Sequence, residues 1–278
     1  MSVPSPIIRL TAGNAGPFTG AGTNTYVVGE HALAVIDPGP DEPAHIEAIL
    51  RASAGRPVTH ILLTHAHRDH ADGIARLKQA TGALTAGFGR AGPPTASTAD
   101  ASPSGAEFIA WDFVPDRKLA DGAVVAVGDL RLTAVHTPGH APDHLCFALD
   151  GPTPVLFSGD HVMGWSTSVI APPEGHMGYY LASLEKLLPR PEVRYLPGHG
   201  DAVADGLRTV RAYLLHRQMR EQAVLDAIGG GAHNLDAITD RVYDGIAPDL
   251  RKAARLSVQA HVDFLREKAM LSFDPATG

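Results

Sequence analysis

The stretch of sequence that decides the interpretation of this chain is Thr64-His65-Ala66-His67-Arg68-Asp69-His70-Ala71-Asp72-Gly73. It places three histidines and one aspartate within six residues. The apolar run before it, residues 58–63, is typical of a buried strand, and the apolar spacing from residue 74 onward predicts a helix with Asp72 as its N-cap. The side chains of the motif are therefore expected on a loop between a strand and a helix.

These side chains are of the kinds that bind metal ions. His65 and His67 are two residues apart and can face the same way on an extended turn, whereas Asp69 and His70 can face a second centre. Imidazole and carboxylate groups together suit Zn²⁺ and its neighbours in the first transition row. A single histidine is more often structural, but a cluster of histidines and carboxylates marks a metal or catalytic site.

The composition limits the class of protein. The 278 residues, 44% of them hydrophobic, can form one large domain or a large and a small one. A formal net charge of −7 lacks the basic footprint of most tight nucleic-acid binders, although a local basic patch stays open. The single cysteine, Cys146, excludes an intrachain disulfide. Residues 1–6 carry no charged or long apolar run, so we expect no signal peptide, no membrane span and a cytoplasmic location.

Ligand-type residues recur after three further predicted strands. They stand in Thr137-Pro138-Gly139-His140, in Ser158-Gly159-Asp160 and in Pro197-Gly198-His199. Tight turns at strand ends bring distant residues to one rim of a sheet. We therefore expect His140, Asp160 and His199 to join the cluster at residues 65–70. The other histidines, among them His261, have no motif around them and are expected to be structural or superficial.

Two further regions have a distinct composition. Residues 87–106 are rich in Gly, Ala, Pro, Ser and Thr, which predicts either a loop that gates the site or a solvated insertion without a role. After residue 204, long helical patterns predict a separate domain at 205–278, following a catalytic domain at 1–204. We expect this second domain to be small, helical and winged-helix-like, with a wing strand within 264–273.

The whole pattern resembles the metallo-β-lactamase superfamily, through His65-x-His67-x-Asp69-His70 and the later His140, Asp160 and His199. The resemblance covers the first 200 residues or so and implies an α/β fold, an αββα sandwich with two divalent ions, preferably zinc, at the sheet edges. It implies that His65, His67 and His140 hold one ion, that Asp69, His70 and His199 hold the other, and that Asp160 bridges them. We expect Asp37 and His144 to hydrogen-bond the ligand histidines.

The resemblance also narrows the branch of the superfamily. Members that hydrolyse β-lactams usually carry cysteine at the position of Asp160 or lack the bridging carboxylate, and the short spacing to His199 leaves no room for a β-CASP module. Residues 22–26, the Asp37-Pro38-Gly39 turn and the C-terminal helices resemble the lactamase-beta-2-like group, which carries a C-terminal winged helix and whose animal members are described as endoribonucleases. Glyoxalase-II-type thioesterases share the metal residues but have a different helical end.

These patterns predict an enzyme, a metal-dependent hydrolase in which a metal-bridging hydroxide attacks an ester, thioester or lactone-type substrate. Asp69 is expected to orient the hydroxide or to carry its proton. Two alternatives stay open: an endoribonuclease that cleaves single-stranded RNA, and a metal-stabilised DNA-binding module. The expected partner is a small-molecule substrate, with single-stranded RNA or a second copy of the chain as further options and no membrane.

Overall fold

The computed structural model describes residues 7–90, 108–151 and 153–271. These residues fall into two compact units. Of the described residues, the first unit takes those up to 137 and those within 143–166 and 191–206, and the second takes 138–142, 167–190 and 207–271. Most of the predicted loop at 87–106 lies outside the described residues, so both interpretations of that loop stay predictions.

The first unit contains a six-stranded sheet in the order β1 to β6. Its strands are Ile7–Thr11 (β1), Asn24–Val28 (β2), Leu33–Ile36 (β3), Val58–Leu62 (β4), Leu84–Gly87 (β5) and Arg117–Lys118 (β6). The pairings from β1 to β3 are antiparallel, and those from β3 to β6 are parallel.

A five-stranded sheet in the order β11-β10-β9-β8-β7 completes the strands of this unit. These strands are Val124–Val127 (β7), Leu130–His136 (β8), Leu145–Leu149 (β9), Val155–Gly159 (β10) and Arg194–Pro197 (β11). Strands β7 and β8 form a hairpin, and within this sheet only β10 and β11 pair in parallel.

The core of this unit follows the alternation of side chains along the strands. Ile36 and Leu62 from the first sheet pack with Phe147 and Phe157 from the second in one buried cluster. Because successive side chains point to opposite faces, Val35 and Ile61 fall on the other face, with the helix side chains Ile49 and Leu77. Those helices are Pro43–Ser53 (α1) and Ile74–Thr81 (α3), and a short helix, Arg68–Ala71 (α2), precedes α3. The α/β fold with two packed sheets agrees with the predicted sandwich.

The chain leaves the metal motif differently from the prediction. Asp72 does not begin a helix; it ends α2, and its carboxylate accepts a 3.2 Å hydrogen bond from Arg68. Helix α3 starts only after Gly73, whose N–H donates to the carbonyl of Gly39 at 2.8 Å. A Cβ at residue 73 would come within 2.9 Å of the carbonyl oxygen of Pro38. Gly73 is therefore held against the turn at residues 37–39, and this contact lies between α2 and α3.

The second unit contains the helices Met177–Leu187 (α4), Gly206–Gly229 (α5), Leu235–Val242 (α6) and Arg251–Glu267 (α7), with a 3-10 turn at Pro248–Leu250. Helix α5 begins at the last residue of the first unit. Val224, Ile238, Val258 and Leu265 share a buried core. A helical C-terminal region was predicted and is present.

A wing strand is not found among the described residues of this region. Helix α7 continues to Glu267, and residues 206–271 contain no strand. Val258, Val262 and Leu265 are spaced to line one face of a helix, and all three are buried, so this stretch stays helical. The rest of the expected strand, residues 272–273, lies outside the described residues. Across the described ranges, no helix combines the length and apolar character that crossing a bilayer requires.

Candidate metal centre

The predicted site residues of the first unit follow the ends of four strands. Asp37 follows β3, the motif at 65–70 follows β4, Asp160 follows β10 and His199 follows β11. β3 pairs with β4 in parallel, and so does β10 with β11, which brings the carboxyl ends of each pair to the same edge. His67 is the N-cap residue of α2, and Asp69 and His70 lie on that helix and not on an open loop.

Imidazole and carboxylate atoms converge at these ends. One group of ligand atoms within 4.8 Å of one another comes from His65, His70 and Asp160, and another from Asp69, His70 and His199. His199 Nε2 lies 3.4 Å from Asp160 Oδ2 and 3.3 Å from Asp69 Oδ2. His65 Nε2 is 2.9 Å from Nδ1 of His67. This set of nitrogen and oxygen donors fits divalent ions of the first transition row.

His140 belongs to the second unit, in its segment 138–142. Its Nδ1 lies 2.6 Å from the carbonyl oxygen of Val169. A carbonyl only accepts, so Nδ1 carries the proton and Nε2 keeps a lone pair for a metal ion. Its role beside His65 and His67 stays a prediction.

Asp37 holds two parts of the motif at once. Its Oδ2 accepts from His70 Nδ1 at 2.9 Å and from the Thr64 hydroxyl at 2.7 Å, and its Oδ1 accepts from the Thr64 N–H at 2.8 Å. The Thr64 hydroxyl also lies 3.0 Å from Nδ1 of His65. The expected bond from Asp37 to a ligand histidine is therefore present, and it leaves His70 Nε2 directed at the cluster.

His144 supports the centre through Asp160. Its Nε2 accepts the backbone N–H of Asp160 at 3.2 Å, and its Nδ1 lies 2.9 Å from the Thr137 hydroxyl. Because Nε2 is an acceptor, the proton is on Nδ1 and the ring donates to Thr137. We expected His144 to hydrogen-bond a ligand histidine, which stays a prediction; its ring lies 5.2 Å from that of His65, and its bond to Asp160 fixes the backbone of the bridging candidate.

A buried ion pair braces the loop between His65 and His67. The Ala66 N–H donates to Asp143 Oδ2 at 3.0 Å, and Arg90 donates to Asp143 Oδ1 at 3.2 Å. The Arg90 guanidinium also lies over the ring of Trp111, 4.6 Å from its centroid. The sequence gives little signal for this pair, because neither residue stands in a motif and only its place beside His144 could have drawn attention to Asp143.

Asp69 receives a further contact that the sequence analysis did not anticipate. The Thr23 hydroxyl donates to Asp69 Oδ2 at 3.4 Å, and Asn14 bonds both the backbone and the hydroxyl of Thr23. The Asp69 side chain is 30% exposed, against 10% for Asp160. Asp69 is therefore the carboxylate of the cluster that is more open to solvent.

The carboxyl and imidazole groups of the cluster shift one another's pKa values. Burial alone would raise the pKa of the Asp160 and Asp69 carboxyls, but the nearby His70 and His199 hold both pKa values well below the usual range. Burial disfavours the charged form of His199, yet Asp160 and Asp69 raise the pKa of its imidazole to about 9. The pKa of His70 is also well above its usual value, since its burial is outweighed by Asp69, Asp160 and Asp37. The carboxylates thus stay ionised and favour positive charge beside them.

Gly198 shows how closely the parts of the centre approach. A Cβ at this position would lie 2.5 Å from Asp160 Oδ1 and 2.6 Å from Cε1 of His70. These distances are too short for any side chain, so only glycine allows β11 to deliver His199 beside Asp160. The Pro-Gly-His pattern in the sequence therefore has a steric cause here.

Comparison with known proteins places this site in a family. The model of the metallo-beta-lactamase superfamily matches residues 18–199, which include the whole predicted ligand set. The Beta-lactamase-like protein 2 homolog of Drosophila melanogaster is 31% identical over 282 residues, 96% of this chain and 90% of that protein. The atrochrysone carboxyl ACP thioesterase of Claviceps purpurea is 29% identical over 226 residues, 80% of this chain and 65% of that protein.

Solved structures share the fold. The metallo-beta-lactamase family protein TTHA1429 from Thermus thermophilus superposes with a TM-score of 0.78 and 23% identity, over 97% of this chain and 96% of that one. TTHA1623, solved in a di-iron-bound form, gives a TM-score of 0.53 and 30% identity, over 73% of this chain and 98% of that one. With its two packed sheets and its histidine and aspartate cluster at their edges, the chain belongs to the metallo-β-lactamase superfamily.

Proposed function

We propose that this chain is a dinuclear metal-dependent hydrolase that acts on a small ester, thioester or lactone-type substrate, thioesters first among them. The observation that carries the proposal is the convergence of imidazole and carboxylate donors from His65, Asp69, His70, Asp160 and His199. A site of this composition hydrolyses substrates without a serine or cysteine nucleophile.

In this proposal His65, His67 and His140 hold one ion, Asp69, His70 and His199 hold the other, and Asp160 lies between them. Zinc is the proposed metal, and iron is the alternative that elemental analysis separates from it. When bound, such ions lower the pKa of water to about 7 and polarise the oxygen of a carbonyl group.

Asp69 is the proposed catalytic residue. Its carboxylate is ionised and partly exposed, within hydrogen-bond reach of His199 and Thr23. It can therefore orient a water molecule or accept its proton, while the more deeply buried Asp160 would serve as a ligand between the ions. Asp37 and His144 keep the neighbouring groups in place.

Two observations favour a small thioester substrate. The Claviceps purpurea relative is named a thioesterase, and its similarity covers 80% of this chain. The net charge of −7 works against the attraction of a polyanion such as RNA. We further propose the lactamase-beta-2-like group, with domains at 1–204 and 205–278, because the Drosophila relative matches the C-terminal helices as well.

Metal content tests the first part of the proposal. Elemental analysis of the purified protein should find about two zinc or iron ions per chain, and fewer in Asp160→Ala. The matched control is Asp201→Ala, since Asp201 is exposed and pairs with Arg9. An unchanged metal content in Asp160→Ala would contradict the assigned bridge.

A substrate panel tests the second part. Acyl-N-acetylcysteamine and acyl-coenzyme A thioesters, a p-nitrophenyl ester, a lactone and single-stranded RNA are offered to metal-loaded protein, with Asp69→Asn as the inactive reference. We expect thioester hydrolysis that Asp69→Asn abolishes. Cleavage of RNA alone would replace the proposal with an endoribonuclease, and no turnover of any substrate would overturn it.

A further inference from the structure

Helix α5 carries an arginine in an unusual place. Arg217 is 3% exposed, and no carboxylate among the described residues pairs with it. Its Nη2 donates to the carbonyl oxygen of Ser168, and its guanidinium carbon lies 5.2 Å from the ring centroid of Tyr180. Burying a guanidinium without a counter-charge is costly, so these two contacts must compensate for that cost.

The contact with Ser168 places Arg217 beside the backbone segment that contacts His140. Ser168 is followed by Val169, and the carbonyl oxygen of Val169 lies 2.6 Å from Nδ1 of His140. Arg217 therefore anchors the backbone that holds the proton of the His140 ring. The direction of that bond determines which ring nitrogen is left for a metal ion.

The contact with Tyr180 places Arg217 beside the residue on which the turn of His140 packs. A Cβ on Gly139, which has φ +143°, would lie 2.3 Å from Cα of Tyr180, so this turn packs directly on helix α4. The His176 N–H donates to the carbonyl of Gly139 at 2.8 Å, and the Ser183 hydroxyl donates to that of Pro138 at 2.7 Å. The residue that the guanidinium covers is thus part of the support beneath the turn.

We propose that Arg217 is a positioning residue that sets the tautomer and the ring orientation of His140 from the C-terminal helices. This inference rests on the proposed function, in which His140 is a metal ligand. Arg217 acts through its neighbours: it contacts Ser168, next to the carbonyl that holds His140, and the ring of Tyr180, against which the turn of His140 packs.

Helix α5 provides a matched control three residues away. Arg220 donates to the carbonyl oxygen of Val242 at 2.9 Å, and its guanidinium carbon lies 4.4 Å from the ring centroid of Tyr243. It makes the same two kinds of contact as Arg217, but with residues at the end of α6. Loss of Arg220 therefore reports the structural cost of losing such an arginine without a change at His140.

The experiment compares the affinity for metal of wild type, Arg217→Met, Arg220→Met, His140→Ala and the double variant His140→Ala/Arg217→Met. Each protein is loaded with Zn²⁺ and titrated with a chromophoric chelator, and its melting temperature is recorded. We expect Arg217→Met to lower the affinity for one of the two ions about 10- to 100-fold, as loss of a supporting contact does. Arg220→Met should lower the melting temperature but leave both affinities unchanged, and Arg217→Met should have no further effect once His140 is alanine.

Two results would overturn the inference: wild-type affinity in Arg217→Met, or an equal loss from Arg217→Met with and without His140. If Arg217→Met does not fold, Arg217→Lys replaces it, and a weaker loss of the same ion is expected because lysine keeps the charge but not the planar fork. Wild-type metal affinity in His140→Ala would instead show that His140 is not a ligand, which overturns the proposed ligand set itself.

Discussion

At the scale of single residues, Asp37 has the largest share in arranging the metal motif. It receives three hydrogen bonds, from the backbone and hydroxyl of Thr64 and from His70. Its backbone has φ +50°, in the left-handed region that aspartate tolerates better than most residues. The turn at residues 37–39 therefore fixes both the start of the motif and the tautomer of His70.

Replacing Asp37 by alanine should weaken the metal bound through His70. The ring would lose the carboxylate that holds its Nδ1 proton, and Thr64 would lose its partner next to His65. We expect the affinity for Zn²⁺ to fall about 10- to 100-fold, measured by competition with a chelator. The control is Asp41→Ala, on the same loop, whose exposed carboxylate pairs with Arg76 and not with the site. Equal affinities in the two variants would contradict the role of Asp37.

Sequence alone can predict residues of this kind when they stand in a motif. The spacing of His65, His67, Asp69 and His70 was sufficient to nominate ligands, and the Asp-Pro-Gly turn nominated Asp37. Arg90, Asp143 and Thr23 could not be nominated. The function of each comes from a partner that folding brings near, 46 positions away for Thr23 and Asp69, and 53 for Arg90 and Asp143.

At the scale of elements, the segment from β4 to α2 depends on that buried pair. Asp143 accepts from Arg90 and from the Ala66 N–H, and both side chains of the pair are 6% exposed. Removing one partner of a buried pair leaves the other charge inside the protein. Asp143→Ala should therefore lower the free energy of unfolding by about 3 to 5 kcal/mol, measured by urea denaturation.

The exposed pair of Arg9 and Asp201 is the control for that prediction. Its side chains are 41% and 94% exposed. Asp201→Ala should cost no more than about 1 kcal/mol, because water screens the lost attraction. A similar small cost for Asp143→Ala would show that the buried pair does not brace the loop.

Helix α7 gives the protein a sensitivity to acid. His261 is buried, and neither of its ring nitrogens has a hydrogen-bond partner among the described residues. Burial lowers the pKa of its imidazole to about 3, with help from the positive groups Arg217, Arg220 and His216. Since the folded pKa lies below the unfolded value near 6.5, the unfolded state takes up a proton first. The contribution of His261 to the free energy of unfolding is fully present above the unfolded pKa and is lost as the pH falls towards the folded pKa.

His261→Leu should therefore flatten the pH dependence of stability. From pH 8 to pH 5 the free energy of unfolding of the wild type should fall by about 2 kcal/mol because of this histidine, and that of the variant should not show this loss. Urea denaturation at the two pH values measures the difference. His31→Leu is the control, because it removes a histidine that is exposed and not buried. The same acid loss in His261→Leu as in wild type would contradict the assignment.

Sequence patterns located the strands that precede the ligand residues and the C-terminal helices, because hydrophobic alternation and spacing are local. They failed where contacts from elsewhere decide the path of the chain. The helix expected from Asp72 starts only at Ile74, because Gly73 is held against Pro38 and Gly39. The wing strand expected within 264–273 is absent from 264–271, where α7 keeps Leu265 in the core of the C-terminal helices.

At the scale of the whole molecule, bound ions should add to the stability of the fold. A ligand that binds only the folded state stabilises it by about 4 kcal/mol when its free concentration is about 1,000 times its dissociation constant. We therefore expect a chelator to lower the midpoint of urea denaturation and Zn²⁺ to restore it. Asp160→Ala should respond much less to either treatment. A wild-type midpoint that does not move after verified removal of the metal would contradict this expectation.

The class of fold was predictable at this scale because the ligand motifs at strand ends resemble those of a known superfamily, and the resemblance implies the sandwich; the hydrophobic content only supports a full core. The substrate was not predictable, since the same donor set suits thioesters, lactones and phosphodiesters. The family assignment narrows the chemistry to hydrolysis, and the proposed thioester rests on a relative's name and on charge.

The wide spacing of the candidate ligands along the chain has a consequence for synthesis. His65 and His199 both approach the carboxylate of Asp160, yet 133 residues lie between the two histidines. While the chain emerges from the ribosome, the motif at 65–70 is exposed long before β11 exists to complete its partner positions. In the proposed dinuclear site, metal capture would therefore follow translation of His199, and the finished fold, not the motif alone, would select the ion.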